Sequence, residues 1–140
     1  MHIASFKLTS LVMLVLVMPS IAAAEEISYD TDVMAVLSKA GCNQGICHGN
    51  KFGKGGFRLS LRGEDPDFDY WALTRGVSAR RVNPQDPAQS LLLLKPTMQV
   101  AHEGGRRFDT ESVEYEILRQ WIAENMPRES GAVRRLVELD

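Results

Sequence analysis

The sequence predicts an all-α domain, and three observations carry that expectation. Two segments, 30–40 and 109–127, place apolar residues at helical spacing between residues that cap and residues that stop helices. The one stretch that alternates as a strand does, Arg58-Leu59-Ser60-Leu61-Arg62, is short enough to be loop instead. A chain of 140 residues, 44% apolar and 24% charged, fits one globular domain, and it excludes a Rossmann pair, a barrel, and the collagen-like, disordered and polytopic membrane classes.

The first 24 residues read as a secretory leader to be removed. Lys7 is the one charged side chain of a short n-region; the apolar run Leu11 to Met18 follows, Pro19 and Ser20 break it, and Ala22-Ala23-Ala24 offers small residues for cleavage. That run is far below the roughly 18–20 residues that span a bilayer, so no membrane span is expected in the mature chain. With no cysteine near the cut, a lipoprotein anchor is not expected either. Removing 24 of 140 residues leaves 116, and losing Lys7 takes the net charge from −2 to −3. A chain so charged advertises neither nucleic acid nor an anionic membrane as partner. The expected location is exported, in the periplasm or at the cell surface, with a domain over 25–128 and a tail over 129–140 that is disordered or opens a further strand.

Asp30 to Ala40 is the first expected helix. Asp30 or Thr31 can cap it, Val33, Met34, Val36, Leu37 and Ala40 form its apolar stripe, and Gly41 stops it. A glycine-rich basic stretch, Asn50 to Phe57, follows the cysteine segment. Asp65-Pro66 starts a turn into one or two helical turns over Asp67 to Thr74, with Tyr70, Trp71 and Leu73 inward. Arg80 to Pro84 and Asp86-Pro87 read as loop, and Ser90 to Lys95 as a short buried helix stopped by Pro96. Thr97 to Phe108 is a loop. Asp109 or Thr110 caps the last helix, on which Val113, Ile117, Leu118, Trp121 and Ile122 keep helical spacing as far as Pro127.

The chemistry sits in Gly41-Cys42-Asn43-Gln44-Gly45-Ile46-Cys47-His48-Gly49, which holds both cysteines of the chain. A c-type haem is fixed by two thioether bonds, with the histidine after the second cysteine as proximal iron ligand. The usual spacing is C-x-x-C-H; here it is C-x4-C-H, and Gly45 and Asn43 ease the longer loop. The mature chain has one other histidine, His102, with Met98 four residues before it. His102 is the favoured second ligand, because Gly104-Gly105 lets backbone approach a porphyrin closely; Met98 is the alternative. Arg80-Arg81 and Arg106-Arg107 are candidates for the propionates. Trp71 and Trp121 are expected core aromatics, with a wall of the haem site as a further possibility, and Met34 and Met126 are expected in the core. The same atoms admit two rivals, a zinc site of Cys42, Cys47, His48 and His102, or a Cys42–Cys47 disulfide, either of which would suit a non-redox interaction module.

On these residues the sequence resembles the planctomycete-type cytochrome c domain, an exported module commonly found ahead of other domains in larger surface proteins. The resembling stretches are Gly41 to Gly49, Gly53 to Gly63, Arg80 to Asn83, Ser90 to Lys95, His102 to Gly105 and Tyr115 to Ile122, within roughly residues 29 to 127. The resemblance implies a cytochrome c-like mono-haem fold, with one covalent haem on Cys42 and Cys47, His48 as proximal ligand, and His102 in the axial-ligand loop. The fold expected with it packs the first and last helices together and wedges the haem between them and the 96–108 loop. The chain departs from ordinary cytochromes c in its cysteine spacing, and from longer relatives in stopping just after Val133 to Leu139. The function expected is electron transfer rather than catalysis, since two protein ligands leave iron no open position. A haem enzyme or sensor with an exchangeable ligand is the further alternative. The redox partner is not specified, and downstream surface-protein domains are possible neighbours.

Overall fold

The computed structural model describes residues 26–128. The expected leader and tail lie outside those residues. Among the described residues there are helices and turns but no strand: α1 (Met34–Lys39), entered through a π-helical turn (Tyr29–Val33), α2 (Pro66–Thr74), α3 (Leu91–Leu94) and α4 (Val113–Ala123), with 3₁₀ turns at Leu61–Gly63 and Pro87–Gln89. The all-α expectation holds. The alternating segment 58–62 is extended only as far as Ser60 and then turns, with Arg62 in the left-handed region at φ 56°.

The first helix begins at Tyr29, and its cap lies two or three residues earlier than the sequence suggests. Ser28, not Asp30 or Thr31, precedes it; the Ser28 carbonyl accepts from both Asp32 N and Val33 N, and Ser28 N donates to Asp32 Oδ2 at 2.9 Å. Several consecutive cap-forming residues compete here, and the one preceding the buried Tyr29 wins. The far end is a Schellman motif: Gly41 N donates to Ser38 O and Cys42 N to Leu37 O, with Gly41 at φ +74°. The α4 cap moves in the opposite direction, two or three residues later, to Ser112 rather than Asp109 or Thr110. Its Oγ accepts from Tyr115 N and donates to Asp109 O. Asp65 caps α2 through Phe68 N, with Pro66 at its first position.

The core lies where α1, its entry turn and α4 meet. Tyr29, Val33, Leu37, Leu118, Trp121 and Ile122 are buried there, with Leu59, Leu73 and Leu93 from the intervening segments. Tyr29 packs against Tyr70 (centroids 5.1 Å) and Trp121 (5.6 Å). Trp121 Nε1 donates to Pro127 O, and Tyr70 Oη to Met126 O, which ties the chain after α4 back onto this cluster. Arg128 closes the seam with ion pairs to Asp30 and Asp67. The first and last helices therefore pack together, as the apolar stripes require. Met34 is in the core and Met126 packs against it. Trp71 is the exception. It stands 56% exposed on the outer face of α2, with Arg75 over its ring, and is neither core nor wall.

Candidate functional site

Away from that seam, the loops enclose a cavity of about 610 Å³. Cys42, Cys47 and His48 line one side with Phe57; Leu91, Leu92 and Pro96 another; Met98, His102 and Gly104 a third. No residue of α1 or α4 contributes. The cavity is thus not wedged between the first and last helices, because their facing surfaces are already filled by the aromatic cluster; it lies between the cysteine segment and the α3–loop unit over 91–104.

The C-x4-C-H segment folds as consecutive tight turns from the end of α1. Cys47 N donates to Gln44 O, His48 N to Cys42 O, and Gly49 N to Gln44 O, while Asn43 is buried and its Nδ2 donates to Ser38 Oγ. Asn50 Nδ2 bonds the Gly45 and Cys47 carbonyls. Gly49 has a strict steric reason: a Cβ there would lie 1.9 Å from Asn43 O. The two inserted residues are absorbed at the surface, where Ile46 is 73% exposed.

The glycine-rich stretch that follows is a tight hairpin turn. Lys54 and Phe57 exchange both backbone hydrogen bonds, and Gly55 and Gly56 both take positive φ, as a type I′ turn requires. It brings Phe57 against His48, with ring centroids 4.6 Å apart. The Phe57 carbonyl lies 3.0 Å from His48 Nδ1. A carbonyl can only accept, so Nδ1 carries the proton and Nε2 keeps a free lone pair. His102 repeats the arrangement, with Nδ1 donating to Gly105 O at 2.9 Å. The two rings stand 6.4 Å apart between centroids with 15° between their planes.

Orienting one imidazole nitrogen on a backbone carbonyl is how metal-binding histidines are held. The two rings form a close, nearly parallel stacked pair that joins the cysteine segment to the loop over 97–105. Burial holds the His48 imidazole below its ordinary pKa; the Phe57 carbonyl bond opposes the shift and the nearby His102 adds to it. Neutral imidazole is the ligand form. Burial also pushes the Cys42 thiol up to about 11, against the charge of Arg107.

Several expectations change here. Cys42 and Cys47 are free thiols rather than a disulfide. Among the described residues no three His, Cys, Asp or Glu side chains form a group that could hold a metal, so the zinc alternative lacks its cluster. Arg81 is buried and committed to structure: it donates to the carbonyls of Ala72, Gly76 and Gly56 and covers the Phe57 ring at 4.3 Å. Arg106 pairs with Asp109 outside the cavity, and Arg107 donates to Cys47 Sγ. Of the expected cations, Arg80 and Arg81 line the cavity, joined by Lys54 and Lys95, whereas Arg106 and Arg107 do not. At Gly104, which lines the cavity, the His102 ring occupies the side-chain space, 2.8 Å from where a Cβ would be, whereas Gly105 has open space there. Phe57 was missed as a site residue, although the Gly55-Gly56 pair before it is a turn signal.

Comparison with protein-family models, curated proteins and solved structures finds no match. None of the helices of the described residues is long and apolar enough to cross a membrane.

Proposed function

We propose that the domain is an exported c-type cytochrome that binds one covalent haem and carries electrons. The observation that supports the reading is the pair of close, nearly parallel imidazoles, each with Nδ1 held by a backbone carbonyl, in the lining of a cavity that Cys42 and Cys47 also line. Cys42 and Cys47 would attach the haem, and His48 and His102 would ligate its iron. When bound, that group supplies a one-electron iron couple, and two histidines leave it no open coordination position. His102 is preferred to Met98 because its ring faces His48 and is oriented. Met98 lines the cavity with its side chain 43% exposed and no comparable restraint. The cavity volume falls in the roughly 300–1,000 Å³ range of cofactor pockets, with leucine, proline and phenylalanine walls that lower the local dielectric.

The test is a pyridine haemochrome spectrum of chain matured with its leader in a cytochrome c maturation host. Haem that resists acid-acetone extraction, with the band position of two saturated vinyl groups, supports the reading; colourless chain, or haem that extracts, ends it. His102→Ala should convert a low-spin spectrum to high-spin and open the reduced protein to carbon monoxide, whereas Met98→Ala should do neither. The reverse pattern would move the second ligand to Met98.

A further inference from the structure

Arg107 lies five residues after His102 on the loop that follows Pro96, and its backbone N donates to Pro96 O at 2.7 Å. Its guanidinium crosses to the other wall of the site, where Nη2 donates to Cys47 Sγ at 3.0 Å. Cys47 lines the cavity and Arg107 does not, so the guanidinium holds the sulfur from outside the cavity wall. The two cysteines need different support. Cys42 is locked by backbone, as the last residue of the Schellman motif that ends α1. Cys47 ends a four-residue spacer whose Gln44, Gly45 and Ile46 are all exposed; Gln44 O and Asn50 Nδ2 hold its backbone, and Arg107 alone donates to its sulfur. A planar donor with a fixed fork geometry is suited to restrain it.

We propose that Arg107 is the positioning residue for the second thioether bond, holding Cys47 Sγ at the cavity wall while that bond forms. The inference rests on the covalent-haem reading above. In the step, the Cys47 S–H adds across a vinyl double bond. Sulfur bonds to the carbon nearer the ring and the proton goes to the terminal carbon, which becomes a methyl group. The addition needs no oxidant, reductant or leaving group. Arg107 remains a donor beside the sulfur and exchanges nothing.

Three backgrounds test this: the wild type, Cys42→Ala and Cys47→Ala, each with and without Arg107→Gln, matured in the same host. In the wild-type background Arg107→Gln should shift the haemochrome band from two saturated vinyls to one, with mass spectrometry finding haem on the peptide of Cys42. In Cys42→Ala it should lower attached haem by about tenfold, and in Cys47→Ala it should change attachment by less than about twofold. Arg107→Lys should restore part of the second bond. Two intact thioethers in Arg107→Gln overturn the proposal. So does an equal loss of haem, or of soluble chain, in the Cys47→Ala background, since the effect would then not run through Cys47. A wild-type chain with no covalent haem is a different result: it refutes the haem reading itself, before Arg107 is changed.

Discussion

The seam between the two main helices and the loops around the cavity are stabilised by different means. At the seam, Tyr29, Leu118, Trp121 and Ile122 exclude water, and the polar atoms of Trp121 and Tyr70 are satisfied by carbonyls just past α4. Around the cavity there is less apolar contact and more latching by hydrogen bonds between segments distant in sequence: Arg81 to Gly56, Arg107 to Cys47, Leu59 N to His48 O. The first region holds the fold, and the second carries two oriented imidazoles, with Cys47 buried and Cys42 packed against the edge of the core. A site of this kind needs rigidity without filled space, which directed bonds supply and core packing does not.

The largest test of that division is Trp121→Ala. It removes the centre of the aromatic cluster and should cost about 3–5 kcal/mol, a large part of the stability of a domain this size. The readout is the denaturant midpoint of the unloaded chain. A loss under about 1 kcal/mol would mean that the seam is not the main source of stability. Arg81→Met is the counterpart in the loop region. It keeps much of the volume but leaves the Ala72, Gly76 and Gly56 carbonyls without their donor, at about 2–3 kcal/mol. Amide exchange in that variant should rise first over 54–60 and 76–82, with α4 still protected. Uniform loss of protection would erase the distinction between the regions.

The sequence shows the seam better than the cavity, for physical reasons. Helical stripes and terminators are local, so the first and last helices and the stop at Gly41 follow from spacing and one glycine. The caps lie two or three residues from their expected places because neighbouring Asp, Ser and Thr residues offer rival caps; at the first helix, burial of Tyr29 decides among them. Trp71, expected inward, faces out, because α2 is short and buries Asp69, Leu73 and Thr74 instead. The histidine pair was legible because the mature chain holds only two. The position of the cavity was not, because it depends on bonds between segments such as Cys47 and Arg107, sixty residues apart, for which no periodicity exists.

Asp69 offers a smaller effect, at the border between the regions. It is fully buried and accepts from Ser60 N at 2.5 Å and Ser60 Oγ at 2.8 Å. Burial raises its pKa, and the two Ser60 bonds oppose the rise without cancelling it. The folded chain therefore keeps a proton that the unfolded chain releases, over a window beginning at the ordinary carboxyl value. Stability from this group is greatest below that window, declines as pH rises through it, and is level above. Asp69→Asn, which resembles the protonated form, should remove the decline. Comparing urea midpoints of the two chains between about pH 3 and 7 isolates it from the other carboxylates. Parallel curves would mean that Asp69 titrates as it does in the unfolded chain.

The smallest expected change in stability is also the most local. Gly104 has an ordinary φ, so alanine there gains about 0.4–1 kcal/mol by restricting the unfolded chain. Against that, the new Cβ would lie 2.8 Å from His102 Cε1 and 3.1 Å from Nε2, and the imidazole is the part that must yield. The two effects are of similar size and opposite sign, so the denaturant midpoint of Gly104→Ala should stay within about 0.5 kcal/mol of the wild type. The ring cannot stay where it is. Its carbon-bound proton resonances should shift and the Nδ1 bond to Gly105 should weaken, while the signals of Trp121 and Tyr29 remain in place. If the seam signals moved instead, the two regions would be coupled through the 96–108 loop, and the orientation of His102 would be a property of the whole domain rather than of its own turn.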